Sequence, residues 1–146
     1  MSEVEAREII AGLGLAPHPE GGHFREIYRR PPVDGGRSTM TSIYYLLAPG
    51  EQSAWHRLAA ADEIWFHHAG DPLALRLSAD GLRYENHLLG TDVARGQRPQ
   101  VIVPAGCWQS AEVRGAWSLV GCAVSPGFEF SDFELAPPDF RPAPAS

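Results

Sequence analysis

The chain has 146 residues, of which 12 are basic and 18 acidic, giving a formal net charge of −6. That length suits a single domain able to bury roughly 70% of the surface its unfolded chain exposes, so folding needs no disulfide or metal staple. The acidic balance argues against nucleic acid as a main partner while leaving room for a local basic pocket, and since all 12 basic residues are arginine, Schiff-base chemistry, a lysine-held pyridoxal cofactor and a Walker-A phosphate loop are excluded.

The start, MSEVEAREII, is acidic where a secretory signal would be basic, and no apolar run approaches the ~20 residues that cross a bilayer. The expectation is a cytoplasmic protein with no membrane partner. Ser2 and Glu5 form a capping box, and Ala6, Ile9, Ile10 and Leu13 follow at helical spacing before Gly12 and Gly14 end the pattern. After the proline-rich LAPHPEGG, the pattern predicts strands at His23–Arg29, Thr39–Leu47, Ser53–His56, Glu63–His68, Leu73–Leu77, Arg83–Leu88, Gln100–Val103, Ser110–Val113 and Trp117–Val124. They are punctuated by PPVDGG, PG, GDP, ADG, PAG and SPG. Short strands with no helix between them predict an all-β fold, an antiparallel β-barrel or jelly roll with one short N-terminal helix. It occupies residues 1–140 as one domain, with 141–146 as a loose tail. Cys107 and Cys122 have no C-x-x-C spacing and read as small buried hydrophobes.

One stretch carries chemistry. Gly50, His56, Glu63 and Gly70 stand at spacings of six, seven and seven, the frame of a metal or ligand pocket. A histidine two residues beyond His56 would complete an H-x-H pair, but Leu58 occupies that position. Strand alternation puts Glu63, Trp65 and His67 on one face and Ile64, Phe66 and His68 on the other. His56 and Glu63 are read as residues of adjacent strands, joined by RLAAAD, with Gln109 entering the same mouth after the PAG turn.

These residues resemble the cupin superfamily, whose first motif, G-x5-H-x-H-x3/4-E-x6-G, is met at Gly50, His56, Glu63 and Gly70. Its second motif is recognisable in VPAGCWQSA, where Gln109 stands in place of a histidine. Most of the chain is similar to a subfamily of small single-domain cupins marked by an HPEGG-F-R-E segment, here His18–Glu26, and by PGFEFSDFELA near the end. The resemblance implies a sugar-epimerase-like fold, a homodimer and a small-molecule ligand. Where the ligand set is complete, it also implies a divalent transition metal. Here the metal set would be His56, Glu63 and Gln109, a weak set, so no cofactor is required.

Without a metal, a neutral His56 oriented by Glu63 is placed to remove a proton beside a carbonyl, as an epimerase or isomerase of a sugar or sugar nucleotide does. Tyr44 or Tyr45 is the candidate acid. Arg25, Arg57 and Arg76 are candidates for a phosphate or carboxylate, Trp65 and Trp108 for stacking, and His67 and Gln109 for further contacts. A metal-dependent oxidoreductase or lyase and a non-catalytic binding module are the alternatives. His18 and His23 read as structural, His87 as solvated, Trp117 as core, and Trp55 as facing away from the pocket into a subunit interface. Phe128, Phe130, Phe133 and Leu135 either cap the barrel end or form part of a dimer seam; the seam is favoured, with the N-terminal segment lending a strand to a neighbour as the resemblance to dimeric cupins implies.

Overall fold

The structure, a computed structural model, describes residues 3–145. Helix α1 (Glu3–Leu13) precedes strands β1 (Ala16–Pro17), β2 (His23–Arg29), β3 (Thr41–Leu47), β4 (Gln52–Leu58), β5 (Asp62–Gly70) and β6 (Leu73–Ser78). Then come β7 (Arg83–Leu89), β8 (Gln100–Val103), β9 (Trp108–Val113), β10 (Ser118–Ser125), β11 (Phe133–Leu135) and β12 (Ala143–Pro144). One sheet runs β1-β2-β3-β10-β5-β8 and the other β11-β4-β9-β6-β7-β12. Together they make a jelly roll.

Alternation explains the packing. Tyr45, Leu47, Trp65, Val120 and Cys122 of the first sheet meet Leu73, Leu75, Leu89 and Ala111 of the second. Each large side chain buried this way contributes roughly 1.5–3 kcal/mol. The apolar stripe of α1 lies on the opposite side of the first sheet, where Ala6 and Leu15 pack with Leu46 and Trp117. Gly14, at φ +67°, ends the helix in the left-handed conformation, and the Leu15 amide donates back to the Ile10 carbonyl at 2.9 Å. Ser2, half of the expected capping box, lies outside the described residues.

All nine expected strands form, with ends shifted by a residue or two. β1, β11 and β12 were not expected, because two or three residues, two of them prolines, carry too little periodicity to read. Over its described residues, 141–145, the tail is held to the second sheet: the Ala143 amide donates to Leu82 and the Ala145 amide to Tyr84, each at 2.8 Å. The tail also carries Phe140 onto Trp108, with ring centroids 4.7 Å apart, and onto Trp55 at 5.6 Å. Trp55 thus packs within its own chain. Of the closing apolar group, Phe128 and Phe133 pack partly on Leu58, Ala61 and Val124, while Phe130 and Leu135 stay exposed.

The HPEGG segment forms the tight turn between β1 and β2. His18 and Gly22 are bonded across it, and Gly21 donates to the His18 carbonyl at 3.0 Å. Gly21 (φ +110°) has no room for a side chain, since a Cβ there would overlap the Gln52 carbonyl oxygen. The turn is thereby pressed against β4. Gly21→Ala should cost about 2–4 kcal/mol in urea unfolding. Gly36→Ala, where the nearest atom to an added Cβ is 3.7 Å away, should change stability by less than ~0.5 kcal/mol.

Candidate functional site

Ser53 and His56 are three residues apart, so in a regular strand they would face opposite sides of the sheet. Both are buried. The reason is a slip in pairing: Ser53 lies opposite Ala111 and His56 opposite Gln109, so β4 carries one extra residue over this interval. The bulge turns both side chains inward, onto one carboxylate from the HPEGG turn. The Ser53 hydroxyl donates to Glu20 Oε1 at 2.8 Å, and His56 Nε2 stands 3.0 Å from Glu20 Oε2.

His56 Nδ1 lies 2.7 Å from the Ala54 carbonyl oxygen, which can only accept, so that nitrogen carries a proton. With Nε2 against a carboxylate, the ring is an imidazolium. Burial by itself would lower its pKa, but the charge and hydrogen bond of Glu20, the charge of Glu63 and the Ala54 carbonyl together push it up to about 9. Burial likewise disfavours ionised Glu20, and the His56 charge and bond overturn that and hold its carboxyl below the usual range.

Glu63 is not on a strand adjacent to His56. β4 and β5 belong to different sheets, and the two side chains face each other across the interior. Gln109 on β9 spans the gap. The Trp65 indole N–H, which can only donate, reaches Gln109 Oε1 at 2.9 Å, so the amide nitrogen must point the other way, and it donates to Glu63 Oε1 at 2.9 Å. Burial pushes the Glu63 carboxyl up, and the nearby His56 charge opposes this only in part. Burial also raises the Cys122 thiol well above its ordinary value, so it stays protonated beside Glu63.

His56, Glu20, Glu63 and His18 line a cavity of about 430 Å³, walled by Phe24, Ile43, Leu58, Val124 and Phe128. That size suits a small metabolite. Tyr45 also lines it, its hydroxyl donating to the Gly21 carbonyl and so pinning the turn. Arg25 and Arg29 lie at the rim. Arg25 donates to the Leu13 carbonyl at 3.2 Å, while Arg29 is engaged by Glu26 at 2.7 Å. The arrangement brings one carboxyl group able to exchange a proton into an apolar chamber beside a fixed cation.

Of the expected site residues, His56, Glu63 and Arg25 line this cavity, but His56 cannot be the resting base because it already holds its proton. Trp65 and Gln109 are buried behind the cavity and orient Glu63. Tyr44, Trp108 and Arg76 do not belong to the site. Tyr44 packs with the helix cluster on the outer side of its sheet, and Tyr45, opposite Phe24, takes the inner place; Arg25, paired with Tyr44, reaches the cavity only at its mouth, with its guanidinium on the Leu13 carbonyl. Trp108 faces outward under Arg57, whose guanidinium is 4.5 Å from its ring centre. Arg76 pairs with Glu112 at 3.6 Å and lies over Tyr84. His67 is held at the other end of β5 by the Asp71 carbonyl at 3.1 Å.

The expected metal set of His56, Glu63 and Gln109 does not fit a metal ion. Both His56 nitrogens are spent on acceptors, Gln109 Oε1 is taken by the Trp65 indole, and Leu58 offers only an apolar wall. Among the described residues no group of three His, Cys, Asp or Glu could hold a metal. The residues missed from sequence are Glu20, His18 and Ser53. A glutamate between a proline and two glycines, in a turn too short to be swung away, was the readable signal for Glu20. Nothing in the sequence marks the bulge that adds Ser53.

The ion pair predicts a pH dependence. His56 has its pKa raised from 6.5 to about 9, so its stabilisation is complete below pH 6.5 and is lost as pH rises toward 9. Glu20, lowered from 4.5, stabilises above pH 4.5 and loses that contribution as pH falls below it. The melting temperature should therefore fall from pH 6.5 to 9 in the native chain. His56→Gln should flatten that fall in a pH series of calorimetric melts.

The family described as Cupin superfamily (DUF985) matches residues 7–136. No curated protein matches the chain. Among solved structures, a Shewanella oneidensis protein is 44% identical, covers 90% of this chain and 84% of its own, and superposes with a TM-score of 0.85. A hypothetical protein from Leishmania major is 37% identical, with coverages of 90% and 86% and a TM-score of 0.81. The capsular polysaccharide assembling protein CapF from Staphylococcus aureus is 14% identical, covers 83% of this chain and 33% of its own at a TM-score of 0.65, and shares the fold. With the family matching nearly the whole length and two relatives at 44% and 37% identity, the chain belongs to the DUF985 family of the cupin superfamily.

Proposed function

We propose that the cavity binds a small polar metabolite, a sugar or sugar nucleotide, and isomerises it by moving a proton on the carbon next to a carbonyl. The observation that carries this reading is Glu63: a carboxyl group buried in a ligand-sized cavity, with burial raising its affinity for a proton and one oxygen held by Gln109. A raised pKa brings a carboxylate nearer to the strength that proton abstraction from carbon requires. His56 keeps a different role from the one its motif position suggests. As an imidazolium fixed by Glu20 it supplies positive charge near the place where negative charge develops, at no reorganisation cost. The apolar walls keep water from competing for that charge and fit the apolar face of a sugar ring. The jelly roll shared with CapF supports the fold and nothing finer.

The reaction leaves an isotopic record that does not require knowing the substrate. A cellular metabolite extract incubated with the protein in heavy water should yield at least one compound that gains a deuteron at carbon, read by mass spectrometry. Glu63→Gln keeps the Gln109 contact and the volume but cannot accept the proton, and should slow incorporation by about 10²–10⁴-fold. If no compound exchanges with the native protein, the isomerase reading is lost, and retained binding without exchange would leave a binding module.

A further inference from the structure

His18 sits in the same cavity, and its ring is unlike that of His56. The backbone N–H of Glu20 donates to His18 Nδ1 at 3.1 Å. A nitrogen that accepts cannot carry a proton, so Nδ1 is bare. Burial also lowers the pKa of this imidazole, so it is neutral and its proton is on Nε2. The side chain is only 6% exposed and lines the cavity, and with Nδ1 taken by the Glu20 amide, Nε2–H is the donor the ring has left. The ring cannot turn away: Phe24 meets it edge-on at 4.5 Å, Tyr45 at 5.7 Å and Phe133 at 6.4 Å. A donor on a ring that lines the cavity, with its other nitrogen already occupied, is the group this side chain has to offer a ligand there.

We propose that His18 is a catalytic residue whose Nε2–H donates a hydrogen bond to the carbonyl oxygen of the bound substrate. The inference rests on the isomerase reading and assigns the half of the chemistry that Glu63 leaves open. Glu63 takes the proton from carbon, the C–H electron pair moves toward the carbonyl, and the oxygen becomes an enolate oxygen held by the Nε2–H. The hydroxyl on the neighbouring carbon passes its proton to that oxygen, and as the carbonyl re-forms on the neighbouring carbon the double-bond pair takes the proton back from Glu63 at the former carbonyl carbon, so atoms and electrons balance with no added reagent. A neutral imidazole suits this role because its N–H is close in acidity to the enol it stabilises, and it leaves the carboxylate base unneutralised. The HPEGG turn thereby delivers two side chains with separate duties, Glu20 to fix His56 and His18 to meet the substrate. Glu20 also sets the His18 tautomer through its own amide.

Two measurements test this. Nitrogen NMR of histidine-labelled protein should show His18 neutral and protonated at Nε2 near pH 7; protonation at Nδ1 overturns the assignment. In the heavy-water incubation, His18→Phe keeps an aromatic ring among Phe24, Tyr45 and Phe133 and removes the donor. It should lose deuterium incorporation about 10²–10³-fold, the range seen when a single donor to a developing oxyanion is removed. His18→Gln, which restores an N–H, should recover at least a tenth of the native rate. A His18→Phe protein that melts like the native chain and exchanges at the native rate overturns the proposal while leaving the Glu63 reading intact. If neither native nor variant protein captures or exchanges any compound, both are lost. Should the native protein bind a compound without exchange, the donor role is judged by that compound's affinity, which His18→Phe must weaken at least tenfold.

Discussion

Glu20 and His56 meet 3.0 Å apart in the interior, where neither ion could persist alone. Taking two charges out of water costs several kcal/mol each, and their attraction offsets this only when the remaining polar atoms are also bonded. Here they are. Ser53 takes the second carboxylate oxygen, and the Ala54 carbonyl takes the second ring nitrogen. The pair ties the N-terminal turn to β4, and the glycines of that turn let it approach. The pair acts with two other polar ties of the same turn, the Tyr45 hydroxyl on the Gly21 carbonyl and the Ala54 amide on the Glu20 carbonyl at 2.8 Å, and together they fix one wall of the cavity.

A second constraint works across the sandwich. Most of the two sheets is joined by aliphatic packing, which is tolerant of small shifts. The Trp65, Gln109 and Glu63 chain is not, because each donor and acceptor has one partner with a fixed direction. A buried network satisfied in full specifies geometry more sharply than apolar contact does. It also explains why an amide can stand at a position where a resembling cupin has a histidine. Gln109 is 1% exposed and its two ends are used in opposite directions, so its role is to hold Glu63 still. The outer face of the second sheet has a different character. There Trp55, Tyr84, Trp108 and Phe140 pack under the tail, with Arg57 and Arg76 laid over the rings, and their contacts stabilise the strands behind the site without entering it.

The chemistry therefore divides between two kinds of histidine. His56 is surrounded by acceptors and holds two protons. His18 meets a backbone donor and holds one. The same side chain becomes a fixed cation in one place and a neutral donor in the other, because hydrogen-bond partners decide protonation as strongly as burial does.

The alternation of Leu73, Leu75 and Leu77, the turn residues between strands, and the glycine frame around His56 and Glu63 were enough to predict a jelly roll and to mark two of the residues in its cavity. These are local signals, written in periods of two residues and in the backbone freedom of glycine. The sequence could not tell that β4 and β5 lie in opposite sheets, that a bulge after Ser53 reverses its facing, or that Tyr45 and not Tyr44 looks inward. Nor could it show that Trp108 and Arg76 face outward while Glu20 and His18 face in. Sheet membership and facing depend on pairing between strands far apart in the chain, and a one-residue slip in register moves a side chain from one face to the other. What the residues are was legible from the chain; which of them meet, and which proton each one keeps, was decided only when the sheets closed on one another.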